Sequence, residues 1–144
     1  MSLSTFDEAT IRAFTRTFET LFDDDEPAAM TAYYTADGQI MADGMRPIRG
    51  HDTIEVFWRT AIGRAKAAGA RRTVQMHEWS CSGDLGYVLC TVTVDLGTTA
   101  VAAWDATIWR RDPDGRWRIA VDISTRLPPE TLPPETPPPE NLPI

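Results

Sequence analysis

Residues 100–126 read AVAAWDATIWRRDPDGRWRIAVDISTR. Two runs rich in Val, Ile, Trp and Thr are broken by Asp112-Pro113-Asp114-Gly115, which is the pattern of a β-hairpin. Pro presets φ for one turn position and Gly accepts the left-handed conformation at its end. Each run also carries one acid in an apolar setting, Asp105 and Asp122. A carboxylate in a core strand is costly unless it is paired, hydrogen-bonded or protonated, so these two acids lead the search for function.

Working back from the hairpin, residues 73–80 and 86–96 have the same strand character. Gly83-Asp84 and Gly97-Thr98 are two-residue turns, so the last four strands form a sequential antiparallel meander. Upstream, the spacing predicts three helices. Ile11, Phe14, Phe18, Leu21 and Phe22 make one aromatic face, with Ser4 or Thr5 as the expected cap. A shorter helix follows Pro27 through Met30, Tyr33 and Tyr34. The third carries Ile54, Phe57, Trp58, Ala61 and Ile62 and stops at Gly69. Between the second and third, residues 39–42 read as a short strand. Met1 to Leu3 are set aside.

After Arg126 the composition changes. Leu-Pro-Pro-Glu-Thr occurs at 127–131 and again at 132–136, a polyproline II pattern without a core of its own. The expected division is a domain over 1–126 and a proline-rich tail over 127–144. With 144 residues, 42% of them hydrophobic, one domain can bury a real core. A net charge of −7 and a pI near 4.7 argue against nucleic acid or an anionic membrane as partner. No apolar run approaches the ~20 residues of a membrane span, and a cytoplasmic location is expected. In the expected register Cys81 faces Gly86 and Cys90 faces His77, so the cysteines do not pair and are expected to be reduced.

Four short stretches, Tyr33-Tyr34-Thr35-Ala36-Asp37-Gly38, Ile48-Arg49-Gly50-His51-Asp52, Ser82-Gly83-Asp84-Leu85-Gly86 and Asp114-Gly115-Arg116-Trp117, occur in order. Together they resemble landmarks of the SnoaL-like branch of the nuclear-transport-factor-two-like, or ketosteroid isomerase-like, superfamily. The resemblance covers about residues 5–126. It implies an α+β cone, with three N-terminal helices packed on a curved, mainly antiparallel sheet, and a homodimer formed through the sheet's other side. The branch includes ketosteroid isomerases, polyketide cyclases and epoxide hydrolases. Its isomerases place a tyrosine on helix one, where this chain has Phe14 and Phe18, and Asp43 is the acid nearest their base. Its epoxide hydrolases place an arginine two residues before the first acid, where this chain has Ala103.

Register sharpens the picture, because residues opposite one another share a face and a slip of one residue reverses it. A four-residue last turn sets His77, Cys90, Asp105 and Asp122 in one row, with Trp79, Val88, Thr107, Trp109 and Ala120 on the same face. A three-residue turn instead moves Asp122 to the other face. In the first register His77, Asp105 and Asp122 are the candidate catalytic residues. Phe18, Tyr34, Trp58, Trp79, Cys90, Thr107 and Trp109 are the candidate binding residues for a small hydrophobic molecule. Two acids at that spacing share one proton, which suits enolisation, aldol-type cyclisation or water addition. No nucleotide loop or metal-ligand cluster is apparent, so no cofactor and no metal are expected. Two readings stand side by side: a cofactor-independent cyclase or isomerase acting on a hydrophobic carbonyl compound, and a non-catalytic binding or assembly module.

Overall fold

A computed structural model describes residues 1–128; the tail from 129 onward, and with it most of the expected polyproline segment, lies outside the described residues. The elements are α1 (Glu8–Asp23), α2 (Pro27–Thr31), β1 (Tyr34–Ala42), β2 (Ile48–Arg49), α3 (His51–Ala68), β3 (Arg71–Ser82), β4 (Leu85–Asp95), β5 (Ala100–Arg111) and β6 (Trp117–Arg126). This is the expected α+β cone: the helices cover one face of a curved six-stranded sheet ordered β2-β1-β6-β5-β4-β3. The meander of β3 to β6 is antiparallel as read from the turns. β1 adds a parallel pairing to β6, a non-local contact that no turn residue announces.

Local chemistry moves several boundaries. The cap of α1 is Asp7, whose carboxylate accepts the Thr10 N–H at 2.9 Å, rather than Ser4 or Thr5. The second helix ends at Thr31, and Tyr34 already belongs to β1, which runs through Ala36-Asp37-Gly38 to Ala42 where the sequence pointed to a strand over residues 39–42 alone. That segment is a register irregularity between Tyr34 and Gln39. Gly38 is needed there: a Cβ on it would lie 3.0 Å from the Thr35 carbonyl oxygen, 3.1 Å from Tyr34 Cβ and 3.2 Å from the Ile119 carbonyl oxygen. His51 reinforces the same bend from the start of α3, with Nε2 3.0 Å from the Tyr34 carbonyl and 3.1 Å from that of Thr35. Two carbonyl acceptors require that this nitrogen carry the hydrogen. Leu3 is not idle either. It exchanges backbone hydrogen bonds with Trp117 and is buried.

Two bulges decide which side chains face inward. The last turn has three loop residues, because Asp112 N–H donates to the Arg116 carbonyl. Arg118 fixes it by donating to Asp112 at 3.0 Å and to Asp114 at 2.8 Å. With a regular ladder that turn sends Asp122 to the outer face. The ladder is not regular: Trp109 faces Ile119 while Ile108 faces Val121, so Ala120 is an extra residue. A bulge leaves two residues opposite one and reverses the alternation beyond it. Trp117 and Ile119 point inward before Ala120, and Asp122 points inward after it, opposite Thr107 and diagonal to Asp105. The direct pairing of Asp105 with Asp122 is thus corrected to Asp105 with Ser124. On β3, His77 is the second extra residue, so Cys90 faces Met76 instead of His77.

The Gly38→Ala substitution tests the bend that carries Tyr34. Crowding against two carbonyl oxygens is expected to lower unfolding stability by about 1–3 kcal/mol, measured by urea denaturation. An unchanged midpoint and slope would contradict it.

Candidate active site in the cone

Between α1 and the concave face of the sheet lies a cavity of about 50 Å³. Phe14, Thr15 and Phe18 of α1, Trp58 of α3 and Arg72 and Val74 of β3 form part of its wall. Val88, Cys90 and Val92 of β4, Asp105 and Thr107 of β5, and Ile119 and Asp122 of β6 complete it. The aromatic face of α1 therefore does two things. Part of it packs the core, with Phe14 edge-on to Trp109 at 4.8 Å and Phe18 edge-on to Trp58 at 5.2 Å, and part of it borders the cavity.

The polar floor is a connected chain. Trp58 Nε1 donates to Tyr34 Oη at 3.3 Å, and Tyr34 Oη donates to Asp122 Oδ2 at 2.6 Å. Asp122 is 7% exposed and Tyr34 1%, so this is a desolvated phenol on a desolvated carboxyl group. Burial, then the Asp122 charge, hold the Tyr34 phenol well above its usual range, and it remains a donor. A side-chain hydrogen bond also links Asp105 to Asp122. Burial and then the neighbouring Asp122 charge push Asp105 well above the carboxylate range. Burial raises Asp122 as well, while the hydrogen bonds from Asp105 and Tyr34 and the charge of Arg72 oppose that rise. Asp105 is raised the more strongly, so the pair favours holding one proton, on Asp105 before Asp122. The Cys90 thiol beside them is pushed up to about 12, first by burial and then by the two acids, so it stays a neutral thiol.

Among the residues expected at the site, Asp105, Asp122, Phe18, Trp58, Cys90 and Thr107 meet at this cavity, and Tyr34 sits behind Asp122. Trp109 is fully buried and donates from Nε1 to Thr107 Oγ1 at 2.8 Å, orienting that hydroxyl. Trp79 lies apart, packed on Phe6 in the core. His77 stands on the outer face, exposed, 2.8 Å from Thr91 Oγ1 and tilted against the Trp104 ring at 5.2 Å. The bulge that turns it outward removes it from the acids. Asp43, the acid nearest the isomerase base position, accepts the backbone N–H of Arg126 instead.

Arg72 went unread in the sequence. It shares an alternation with Val74 and Met76 along β3, which was the available signal. Its guanidinium lies over the Phe22 ring at 5.1 Å and the Trp58 ring at 5.7 Å. Burial lowers its pKa, opposed by the charges of Asp105, Asp122, Glu19 and Tyr34. Nη1 is buried without a hydrogen-bond partner.

The sequence matches the model of the SnoaL-like domain over residues 14–119, a span that runs from the middle of α1 to the start of β6. The chain belongs to the SnoaL-like domain family. No curated protein matches this SnoaL-like chain. Solved structures do. An NTF2-like protein with a cystatin-like fold from Novosphingobium aromaticivorans is 19% identical, with a TM-score of 0.71 over 81% of this chain and 79% of the other. A ketosteroid isomerase-like protein from Erwinia carotovora atroseptica is 21% identical, with a TM-score of 0.67 over 86% and 100% of the two chains. A putative calcium/calmodulin-dependent protein kinase II association domain from Xanthomonas campestris is 16% identical, with a TM-score of 0.66 over 89% and 94%. At these identities the likeness is one of fold. Among the described residues no helix of this SnoaL-like chain is long and apolar enough to cross a membrane.

The state of the acid pair has a sign that can be checked. A carboxyl group whose folded pKa lies above its unfolded one keeps its proton longer in the folded state. Stability is then full below about pH 4 and declines as pH rises through the folded value. Asn mimics protonated Asp105, so Asp105→Asn and the parent protein should melt alike near pH 4. By pH 8 the variant should melt about 3 °C higher or more, the shift roughly 1 kcal/mol produces in a chain of this size. Differential scanning calorimetry across that range reads it, and a pH-independent difference would contradict it.

Proposed function

We propose that this SnoaL-like domain is a cofactor-independent acid–base catalyst acting on a small carbonyl compound. The observation that supports it is the pair of acids, Asp122 buried and Asp105 half-buried, that line one largely apolar cavity. When substrate binds, Asp105 turns its proton from Asp122 to the carbonyl oxygen and stabilises the charge that develops there, which frees the Asp122 oxygen it had occupied. Asp122 takes the proton from the adjacent carbon. Removing a carbon-bound proton demands that enolate charge be met as it forms, and donors fixed in a water-poor site do this without reorganising. Tyr34 and Trp58 hold Asp122 in place and temper its basicity. Cyclisation and isomerisation both begin with this step.

A binding module is the second reading, and one observation favours it: Asp122 already accepts from Tyr34 and Asp105, which weakens it as a base. Transfer of solvent deuterium separates the two. In D₂O, NMR of a panel of small ketones and oxo acids should show enzyme-dependent exchange at the carbon next to the carbonyl. Asp122→Asn should lower that exchange by about 10²- to 10⁴-fold, the usual worth of a positioned base. Binding without exchange by any member of the panel would leave the binding module.

We also infer that the domain is a homodimer formed through the outer face of the sheet. Tyr87, Ile108 and Ile123 are partly exposed there, and the β4–β5–β6 register makes them neighbours of Leu89, Ala106 and Val121. An apolar strip on the outside of a sheet asks for a cover. Sedimentation equilibrium should give twice the chain mass, and Ile108→Lys should shift it towards the monomer. A monomeric parent protein would overturn the inference.

A further inference from the structure

The polar groups around the cavity are unevenly balanced. Arg72 presents a buried Nη1 with no acceptor. Thr107 Oγ1 receives the Trp109 N–H at 2.8 Å, which leaves the hydroxyl hydrogen for a second partner. Cys90 is a thiol. Against these donors stands Asp122, whose oxygens are taken by Tyr34 and Asp105. Asp105 is itself hydrogen-bonded to Asp122, and Glu19, the third acid near Arg72, accepts the Val74 N–H at 2.6 Å. A buried donor left unpaired is costly, more so when it is charged, so a cavity built this way calls for a ligand rich in acceptors.

We propose that Arg72 forms the carboxylate subsite of this cavity, and that the molecule bound is a small oxo acid. Its carboxylate bonds Arg72 Nη1 while its ketone lies toward Asp105 and Asp122. A planar guanidinium matches a carboxylate in geometry as well as charge, and the Phe22 and Trp58 rings on which it rests keep its direction fixed. The volume agrees with a small molecule. A cavity of about 50 Å³, where one water needs roughly 10–15 Å³, holds a short acyl chain and excludes a multi-ring compound.

This inference rests on the cavity being the functional site and not on its being catalytic, so binding is measured apart from turnover. The probes are acetoacetate and pentane-2,4-dione, which have the same number of heavy atoms and differ by carboxylate against methyl ketone. Isothermal titration of the full chain should show acetoacetate binding at least about tenfold more tightly, as expected for one charged hydrogen bond. Arg72→Met should abolish that preference, and Arg72→Lys should restore part of it. Should Arg72→Met fail to fold, the comparison in the parent protein and the lysine variant still decides. Equal affinity for the two probes, or a preference that survives Arg72→Met, would overturn the subsite. Loss of deuterium exchange with the preference intact would instead remove catalysis and leave the subsite standing.

Discussion

Two carboxyl groups closed into one apolar hollow cannot both be charged, and the remainder of the site follows from that constraint. Removing each ion from water costs several kcal/mol, and bringing like charges together adds to it. One proton shared between Asp105 and Asp122 relieves both, and the Tyr34 phenol at 2.6 Å supplies the remaining charged oxygen with a donor. Trp58 holds the phenol, and the Gly38 bend with His51 behind it holds the strand from which Tyr34 projects. Each layer exists because the one inside it cannot tolerate displacement.

The hairpin of β5 and β6, the helix faces and the two-residue turns were legible because each depends on local chemistry and a period of 2 or 3.6. Cys90 opposite Asp105 follows from the Gly97-Thr98 turn alone, and so does their sharing one face. What sequence could not supply was the position of the bulges. The turn at Pro113-Asp114-Gly115 has three residues, which read alone sends Asp122 outward; the extra residue at Ala120 brings it back. Nothing in the identity of Ala120 announces it. His77 shows the converse, since one inserted residue carries an apparently well-placed imidazole to the outer surface. Arg72 was missed because a charged residue at the beginning of a strand is normally a solvated edge.

Two departures from the patterns that the sequence resembles are met by residues on other strands. Helix one presents Phe14 and Phe18 in place of a tyrosine, yet a buried phenol arrives from β1 as Tyr34. Ala103 occupies the position where an arginine precedes the first acid, yet a guanidinium on β3 lies near enough to the acids to feel their charge. Similar groups converge on the cone from different strands, and a linear motif cannot register this.

The central claim is that Asp105 carries a proton at neutral pH while Asp122 does not. Carbon-13 NMR of the aspartate carboxyl carbons, followed from pH 4 to 9 in the parent protein and in Asp105→Asn, measures it directly. The account predicts one carboxyl signal that remains at the protonated position through pH 7 and is missing in the variant. If every aspartate carboxyl titrates near pH 4, the two acids are separately ionised and the shared proton does not exist.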